Sequence, residues 1–316
     1  MTPGQVVEGV LAGQRRAIGR AISMAESLGP EGREVVRALH PRAGRAVRIG
    51  ITGSPGAGKS TLSAALVRHL RSTGTTVAIV SVDPTSPFTH GAVLGDRIRL
   101  VDHFLDEGVF IRSMASRGHL GGLSEATGDA VTILDAAGFD VVIVETVGAG
   151  QNEVEVQALS DTVMLVLMPG SGDAIQAIKA GVMEIPDVIV INKCDRPGAD
   201  ILAGEVESAL TLIPTDGWIP PVVLTQALDG TGVAAAWDAV ERHRAALRES
   251  GGAAARERDG VRRHLVSLAL ERMARDLNAR TDAAVLDALV ARVVAREIDP
   301  SAAVDTILGP VPGEDD

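Results

Sequence analysis

The sequence has few aromatic residues, one cysteine and no long apolar run, and each shortage removes a class of protein. Aromatics make up 2% of the 316 residues and tyrosine is absent. A core must therefore be built from Val, Ile, Leu and Ala, for which a hydrophobic fraction of 46% is ample. Cys194 is alone, so no intramolecular disulfide can form and the chain suits a reducing compartment. The longest apolar stretches, such as Val141–Val144 and Val163–Met168, fall far short of the ~20 residues of a membrane-spanning helix. An excess of positive charge is missing too. The formal net charge of -11 argues against a general nucleic-acid or membrane-surface binder.

What is present is a patterned α/β chain, long enough at about 150 residues per domain for one large domain or two smaller ones. Residues 1–44 look helical, with Val7, Leu11, Ile18 and Ile22 at helical spacing, and end in the breaker-rich His40-Pro41-Arg42-Ala43-Gly44. Arg15, Arg16 and Arg20 precede no long apolar core, so a secretory leader is not expected; Glu8 and Glu26 count against a mitochondrial targeting helix. The expectation is a soluble, cytoplasmic protein. From Val47 onward, aliphatic runs alternate with helical patterns: Val47–Ile51, Val77–Val82, Phe139–Val144, Val163–Met168, Val188–Ile191 and Val222–Leu224. Continuous rather than alternating runs predict strands covered on both faces, joined by right-handed crossovers into a mostly parallel sheet. After Gly251-Gly252 the segments Ala253–Asn278, Asp282–Glu297 and Pro300–Leu308 carry no strand signal. The predicted organisation is an N-terminal helical extension (1–44), an α/β nucleotide-binding domain (45–250) and a C-terminal helical region (251–316).

Gly53-Ser54-Pro55-Gly56-Ala57-Gly58-Lys59-Ser60 fits G-x-x-x-x-G-K-[ST], between an apolar run and a helical pattern through Leu62, Leu66 and Leu70. Glycines let successive amide N–H groups turn inward onto phosphate oxygens, and a helix N-terminus adds positive partial charge there. Lys59 would reach the β/γ-phosphates and the Ser60 hydroxyl would ligate Mg²⁺, with Thr61 completing the loop. An ordinary glycine-rich turn is the competing reading, and the strand and helix flanks weigh against it.

Asn192-Lys193-Cys194-Asp195 ends the run Val188–Ile191. In this N-K-x-D pattern the Asp195 carboxylate can accept two hydrogen bonds from guanine, donors that adenine lacks, which favours GTP over ATP. A last base-binding loop is expected at Thr225-Gln226-Ala227-Leu228-Asp229-Gly230, where Ala227 could supply an N–H to the guanine and Gln226 departs from the usual pattern. Glu145 ends the run Phe139–Val144, placed to hold a Mg²⁺-bound water, and the Gly148 N–H could reach the γ-phosphate. Ala149 follows that glycine and Gln151 lies two positions farther on, so the usual water-orienting side chain is absent from its place and intrinsic hydrolysis should be slow. Asp83 and Asp96 could serve Mg²⁺ directly or through water; a turn-forming Asp-Pro and a helix cap are the bland readings.

With these residues in hand, the chain resembles the MeaB/ArgK family, GTPase chaperones of cobalamin-dependent acyl-CoA mutases. The blocks that carry the resemblance are GITGSPGAGKSTL, VDPTSPFTHGAVLGDRIRL, FIRSMASRGHLGGLSEAT, ETVGAGQNEVEV and GDAIQAIKAGVMEIPDVIVINKCD, spanning about residues 49–195, with REIDPSAAVDTIL near the C-terminus. The resemblance implies Mg²⁺-side roles for Asp83 and Asp96, a first switch over Asp83–Asp96, a second over Glu145–Glu153 and a third over Gly172–Glu184. Asp173, Gln176 and Lys179 match the third switch; at three-residue spacing they would share a helix face. Lys179 is the candidate for stabilising transition-state charge or relaying nucleotide state. His90 stands where the family often has glycine. Also implied are a homodimer built through the helical C-terminal region and an adenosylcobalamin-dependent acyl-CoA mutase as partner. A cobalamin adenosyltransferase is a second candidate partner.

Two other functions compete. A metal-delivery GTPase would need Cys or His clusters, whereas Cys194 is alone and His90 and His119 are well separated. A kinase would need an acceptor site with an adjacent base, for which no dedicated motif is found.

Overall fold

The aliphatic runs are strands of one parallel sheet, and their composition gives the reason. β4 (Val141–Thr146), β5 (Thr162–Leu167) and β6 (Val188–Asn192) are buried at every position, as strands covered on both faces must be. With β1 (Val47–Gly53), β2 (Val77–Asp83), β3 (Val109–Ala115) and β7 (Val222–Thr225) they form a seven-stranded sheet in the order β3-β2-β4-β1-β5-β6-β7. Every neighbouring pair is parallel. The structure is a computed structural model and describes residues 1–83, 105–115, 125–146, 153–170, 186–212 and 217–308. It divides into two units, Met1–Leu265 and Val266–Asp316.

In the first unit, α1 (Pro3–Leu11), α2 (Arg15–Glu26) and α3 (Pro30–Leu39) bury Val6, Val10, Ile18, Ile22 and Leu39 in a cluster that includes Val80, Val142 and Val144 of the sheet. The segment expected as an extension thus supplies part of this unit's core. Its predicted helical face is corrected in the first half. The chain breaks at Gly13 (φ 69°), which turns Val6 and Val10 inward and leaves Leu11 43% exposed. On the other sheet face, α4 (Lys59–Ser72) packs Leu62, Leu66 and Leu70 against Ile49, Ile51, Ile79 and Ile143. α5 (Glu125–Ala136) lies with the N-terminal helices, and α6 (Glu153–Leu159) rests on β1 at Gly50, where a Cβ would sit 2.0 Å from Val156 Cγ1. α7 (Ala199–Leu210) covers β5 and β6, and α8 (Val233–Glu249) packs beside α4.

β3 is the strand that the aliphatic runs do not announce. Arg112 and Ser113 interrupt it, and the cause is its edge position. Arg112 pairs with Glu26 and donates to Ser23 Oγ at 3.1 Å, and Arg15 donates to the Val109 carbonyl at 2.6 Å. The strand is covered partly by polar contacts from α2, so its sequence need not be uniformly apolar.

α9 (Ala253–Arg280) begins in the first unit and ends in the second, which continues with α10 (Ala283–Val294) and α11 (Pro300–Leu308). Among this second unit's described residues only Leu289 and Ala303 are buried, while Val266, Leu270, Met273, Val290 and Val294 are each more than half exposed. No helix among the described residues is long and apolar enough to cross a membrane.

Candidate nucleotide site

β1 lies between β4 and β5 at the middle of the sheet, and the glycine-rich loop leaves its C-terminal end, where ligands of such sheets bind. Gly53 has φ 136°, and a Cβ there would lie 2.1 Å from the Val166 carbonyl of β5. Only glycine lets the chain turn this close to its neighbour. Gly56 (φ 77°) and Gly58 (φ 95°) carry the loop into α4. Lys59 is buried and folds back over the loop, donating to the carbonyls of Gly53 (2.7 Å) and Ser54 (3.0 Å). The loop, with exposed Pro55 and buried Ala57, therefore presents a glycine-permitted concavity with an ammonium held against it.

Glu145 on β4 is 2% exposed and is held from α4 by two hydroxyls. Ser60 Oγ donates to its Oε1 at 2.5 Å and Ser63 Oγ to its Oε2 at 2.8 Å. Sequence reasoning named Ser60 and Glu145 but missed Ser63. Its signal was the spacing of three from Ser60, which puts both hydroxyls on one helix face. Ser60 and Glu145 form an oxygen donor set at the head of the loop, the chemistry that suits a hard divalent cation such as Mg²⁺.

The base-reading segment is tied to the phosphate loop by one side chain. Asn192, 2% exposed, donates from Nδ2 to the Ala57 carbonyl at 2.9 Å, and its Oδ1 accepts from the Ala227 N–H (3.1 Å) and the Thr225 hydroxyl (3.2 Å). The Ala227 amide, expected to face a base, has Asn192 as its partner in this structure. The Gln226 amide donates to the Thr231 carbonyl at 3.0 Å, so the loop is closed by its main chain. Lys193 adopts φ 59° and donates to the Gly56 carbonyl at 2.6 Å and to Met168 Sδ at 3.3 Å. The Cys194 amide donates to the Thr225 carbonyl at 3.0 Å, and Asp195 is exposed beyond it. Met168 was missed, and Thr225 was named only as the start of the loop, because each acts through a strand end that only the fold brings alongside the motifs.

Gly53–Thr61, Glu145, Asn192, Lys193, Asp195 and Ala227 thus lie at the C-terminal edge of β1, β4, β6 and β7. Asp83 ends β2 in register with Ala115 of β3; its side chain, with Asp96, Gly148, Asp173, Gln176 and Lys179, lies outside the described residues, as do His90, His119, Ala149 and Gln151. The chain has three lysines, Lys59, Lys179 and Lys193, and every one falls in a predicted nucleotide or switch motif.

A large electrostatic shift lies at the opposite edge of the sheet. Asp187, just before β6, accepts from the Val163 N–H (2.8 Å), pairs with Arg256 of α9 and meets His243 Nε2 at 3.3 Å. Burial lowers the His243 pKa to about 4, with Arg256 adding to the fall and Asp161 opposing it. The ring is therefore neutral, hydrogen-bonded through Nδ1 to Thr162 Oγ1 at 2.9 Å, with Nε2 beside the Asp187 carboxylate.

The sheet order, the loop and its lysine, and the serine–glutamate pair under it define a P-loop nucleotide-binding protein. The sequence profile described as "Methylmalonyl Co-A mutase-associated GTPase MeaB" matches residues 18–282. A protein of Pyrococcus abyssi named as a GTPase is 44% identical over 313 residues, covering 98% of this chain and 97% of its own. GTPase ArgK of Escherichia coli is 40% identical over 248 residues, 76% of this chain and 75% of that protein. A solved structure called LAO/AO transport system kinase superposes with a TM-score of 0.73 at 29% identity, over 97% of this chain and 96% of that one. This chain belongs to the MeaB family of P-loop GTPases, and its substrate is GTP.

Proposed function

We propose that the protein is a Mg²⁺-dependent GTP switch that serves as chaperone to an adenosylcobalamin-dependent acyl-CoA mutase of the methylmalonyl-CoA mutase type. It gates delivery of the cofactor and protects or reactivates the enzyme. The observation that carries this reading is the family match over residues 18–282, whose description names association with that mutase. The mouse protein "Methylmalonic aciduria type A homolog, mitochondrial", 33% identical over 78% of this chain and 64% of its own length, supports it.

The chain's own residues have definable tasks. The loop amides and Lys59 hold the phosphates, and Lys59 can exchange its carbonyl partners at Gly53 and Ser54 for phosphate oxygens. Ser60 and Glu145, already hydrogen-bonded, fit Mg²⁺, with Asp83 and Asp96 as its further carboxylates. Bound there, the ion would neutralise charge on the β- and γ-phosphates. Asp195 reads the guanine edge, while Asn192 and Lys193 fix the reading loop to the phosphate loop. Gly148 senses the γ-phosphate, and Asp173, Gln176 and Lys179 carry its state to the mutase. GTP can drive a partner only if its two nucleotide states bind that partner differently. The exposed apolar residues of α9 and α10, Leu270, Met273, Val290 and Val294, support a homodimer through the second unit.

The test is phosphate release from GTP and from ATP with Mg²⁺, alone and with methylmalonyl-CoA mutase added. Slow, GTP-selective release that the mutase accelerates, and that Lys179→Ala uncouples, is the expected result. A rate the mutase leaves unchanged would overturn the chaperone reading while leaving the GTPase intact.

A further inference from the structure

The sheet edge opposite the phosphate loop holds a charged cavity that the nucleotide chemistry does not use. Beneath the N-terminal ends of β1 and β5, the approach to β1, the last turns of α8 and the first turns of α9 enclose about 470 Å³. That volume is within the range of small-molecule sites. All of its walls belong to the first unit. Arg45, Arg48, Arg244, Arg248 and Arg256 line it, against the two carboxylates Asp161 and Glu257. In a chain with 41 acidic and 30 basic residues, the sign of charge is reversed here.

The arginines fall into two groups. Three are oriented by carboxylates. Arg48 donates from Nε (3.2 Å) and Nη2 (2.6 Å) to Asp161, Arg244 from Nη1 to Glu241 (2.7 Å), and Arg256 from Nη2 to Asp187. Each fork is fixed by these contacts and keeps one Nη nitrogen without a partner among the described residues. Arg45 and Arg248 are exposed, and neither guanidinium has a hydrogen bond or ion pair among the described residues. The cavity therefore combines pre-oriented donors with a surplus of one positive charge, its five arginines standing against Asp161, Glu257 and the paired Glu241 and Asp187.

We propose that this cavity binds a phosphate-bearing small molecule, a phosphate monoester or a diphosphate, at a site separate from the nucleotide site. Planar guanidinium forks match phosphate oxygens bidentately, and several forks converging on one space suit a group with three acceptor oxygens and nearly two charges. Metal cations are excluded by the sign of the wall. Arg256 sits in the first turns of α9 and also holds Asp187 before β6, so an occupant would brace the start of α9 against the edge of the sheet.

The experiment titrates pyrophosphate, and separately inorganic phosphate, into the full chain saturated with GDP so that the phosphate loop is filled. Mg²⁺ is left out because pyrophosphate chelates it. Saturable binding that weakens with salt, survives Lys59→Ala, and falls about tenfold or more in the Arg45→Gln/Arg248→Gln double variant is expected, since each charge-assisted hydrogen bond is worth that much. Both substituted residues are exposed, and an unchanged melting temperature would establish that the variant is folded. Preference for pyrophosphate would indicate a diphosphate ligand, and equal binding a monoester. No saturable binding into the millimolar range, binding indifferent to the double variant, or binding abolished by GDP would each overturn the proposal.

Discussion

Asn192→Ala tests how the two halves of the nucleotide site are joined. The substitution deletes the Nδ2 donor to the Ala57 carbonyl and the Oδ1 acceptor of the Ala227 amide and the Thr225 hydroxyl, at a residue 2% exposed. Three polar groups lose their partner in a dry place. A hydrogen bond contributes about 0.5–1.5 kcal/mol net, and more is lost when the remaining group stays buried and unsatisfied. The expected loss is about 2–4 kcal/mol, or roughly 4–12 °C in melting temperature for a domain of this size. Guanine nucleotide affinity should fall further than stability, because phosphate and base loops then move independently. Asn192→Asp separates the roles. It keeps an acceptor for Ala227 and Thr225 but sets a carboxylate oxygen against the Ala57 carbonyl, so it should retain part of the stability and little of the affinity. Melting curves with and without GDP, with GDP titration of each variant, provide the assay. If Asn192→Ala melts like the parent and binds GDP within about twofold of it, Asn192 is not the tie and the site is held by the loops alone.

Gly58→Ala should reproduce part of that defect by another route, since its Cβ would lie 2.3 Å from Asn192 Nδ2 at φ 95°; GDP titration should show weakened binding. Gly53→Ala, whose Cβ would press the β5 carbonyl at 2.1 Å, should be destabilised by about 3 kcal/mol or more in chemical denaturation. Ser63→Ala removes one hydroxyl from Glu145 and should lower stability by about 1–2 kcal/mol while leaving Mg²⁺-dependent turnover measurable; Ser60→Ala should abolish that dependence in a Mg²⁺ titration. The His243 pKa is about 4 when folded, against 6.5 in its absence, so the unfolded chain binds the extra proton between these values and stability falls as pH falls through that window. Urea denaturation should lose about 1 kcal/mol per pH unit from this group, and His243→Gln should flatten the slope. Asp187, pushed up by burial, contributes in the opposite sense, its stabilisation being lost as pH rises through its raised value.

The sheet was legible because a parallel strand covered on both faces has to be aliphatic throughout. Six runs named β1, β2, β4, β5, β6 and β7 to within a residue or two at their ends. The three C-terminal helices were legible from composition alone. β3 was not, because Arg112 meets Glu26 across 86 residues of sequence, a pairing no local pattern carries. In the site, motif residues could be named because each is a chemical type at a fixed spacing. What stayed hidden were the residues that hold those types in place. Ser63 is an ordinary helix serine until β4 brings Glu145 beside it, and Met168 an ordinary strand end until Lys193 lies against its sulfur.

β5 and β6 are tied at both ends of the sheet. At their C-terminal ends, Val166 leaves no room for a side chain at Gly53, and Asn192 fastens Ala57 to Ala227. At their N-terminal ends, Thr162 and the Val163 amide are bound by His243 and Asp187, and Asp187 also holds Arg256 and carries the Trp218 indole on its carbonyl at 2.9 Å. Asp187 follows, after only two residues, the segment proposed as the third switch. Strands held at both ends do not slide, because sliding would break buried hydrogen bonds at each edge together. On the proposed switch reading, a nucleotide signal therefore cannot travel as a slide of β5 or β6, which are tied at both ends.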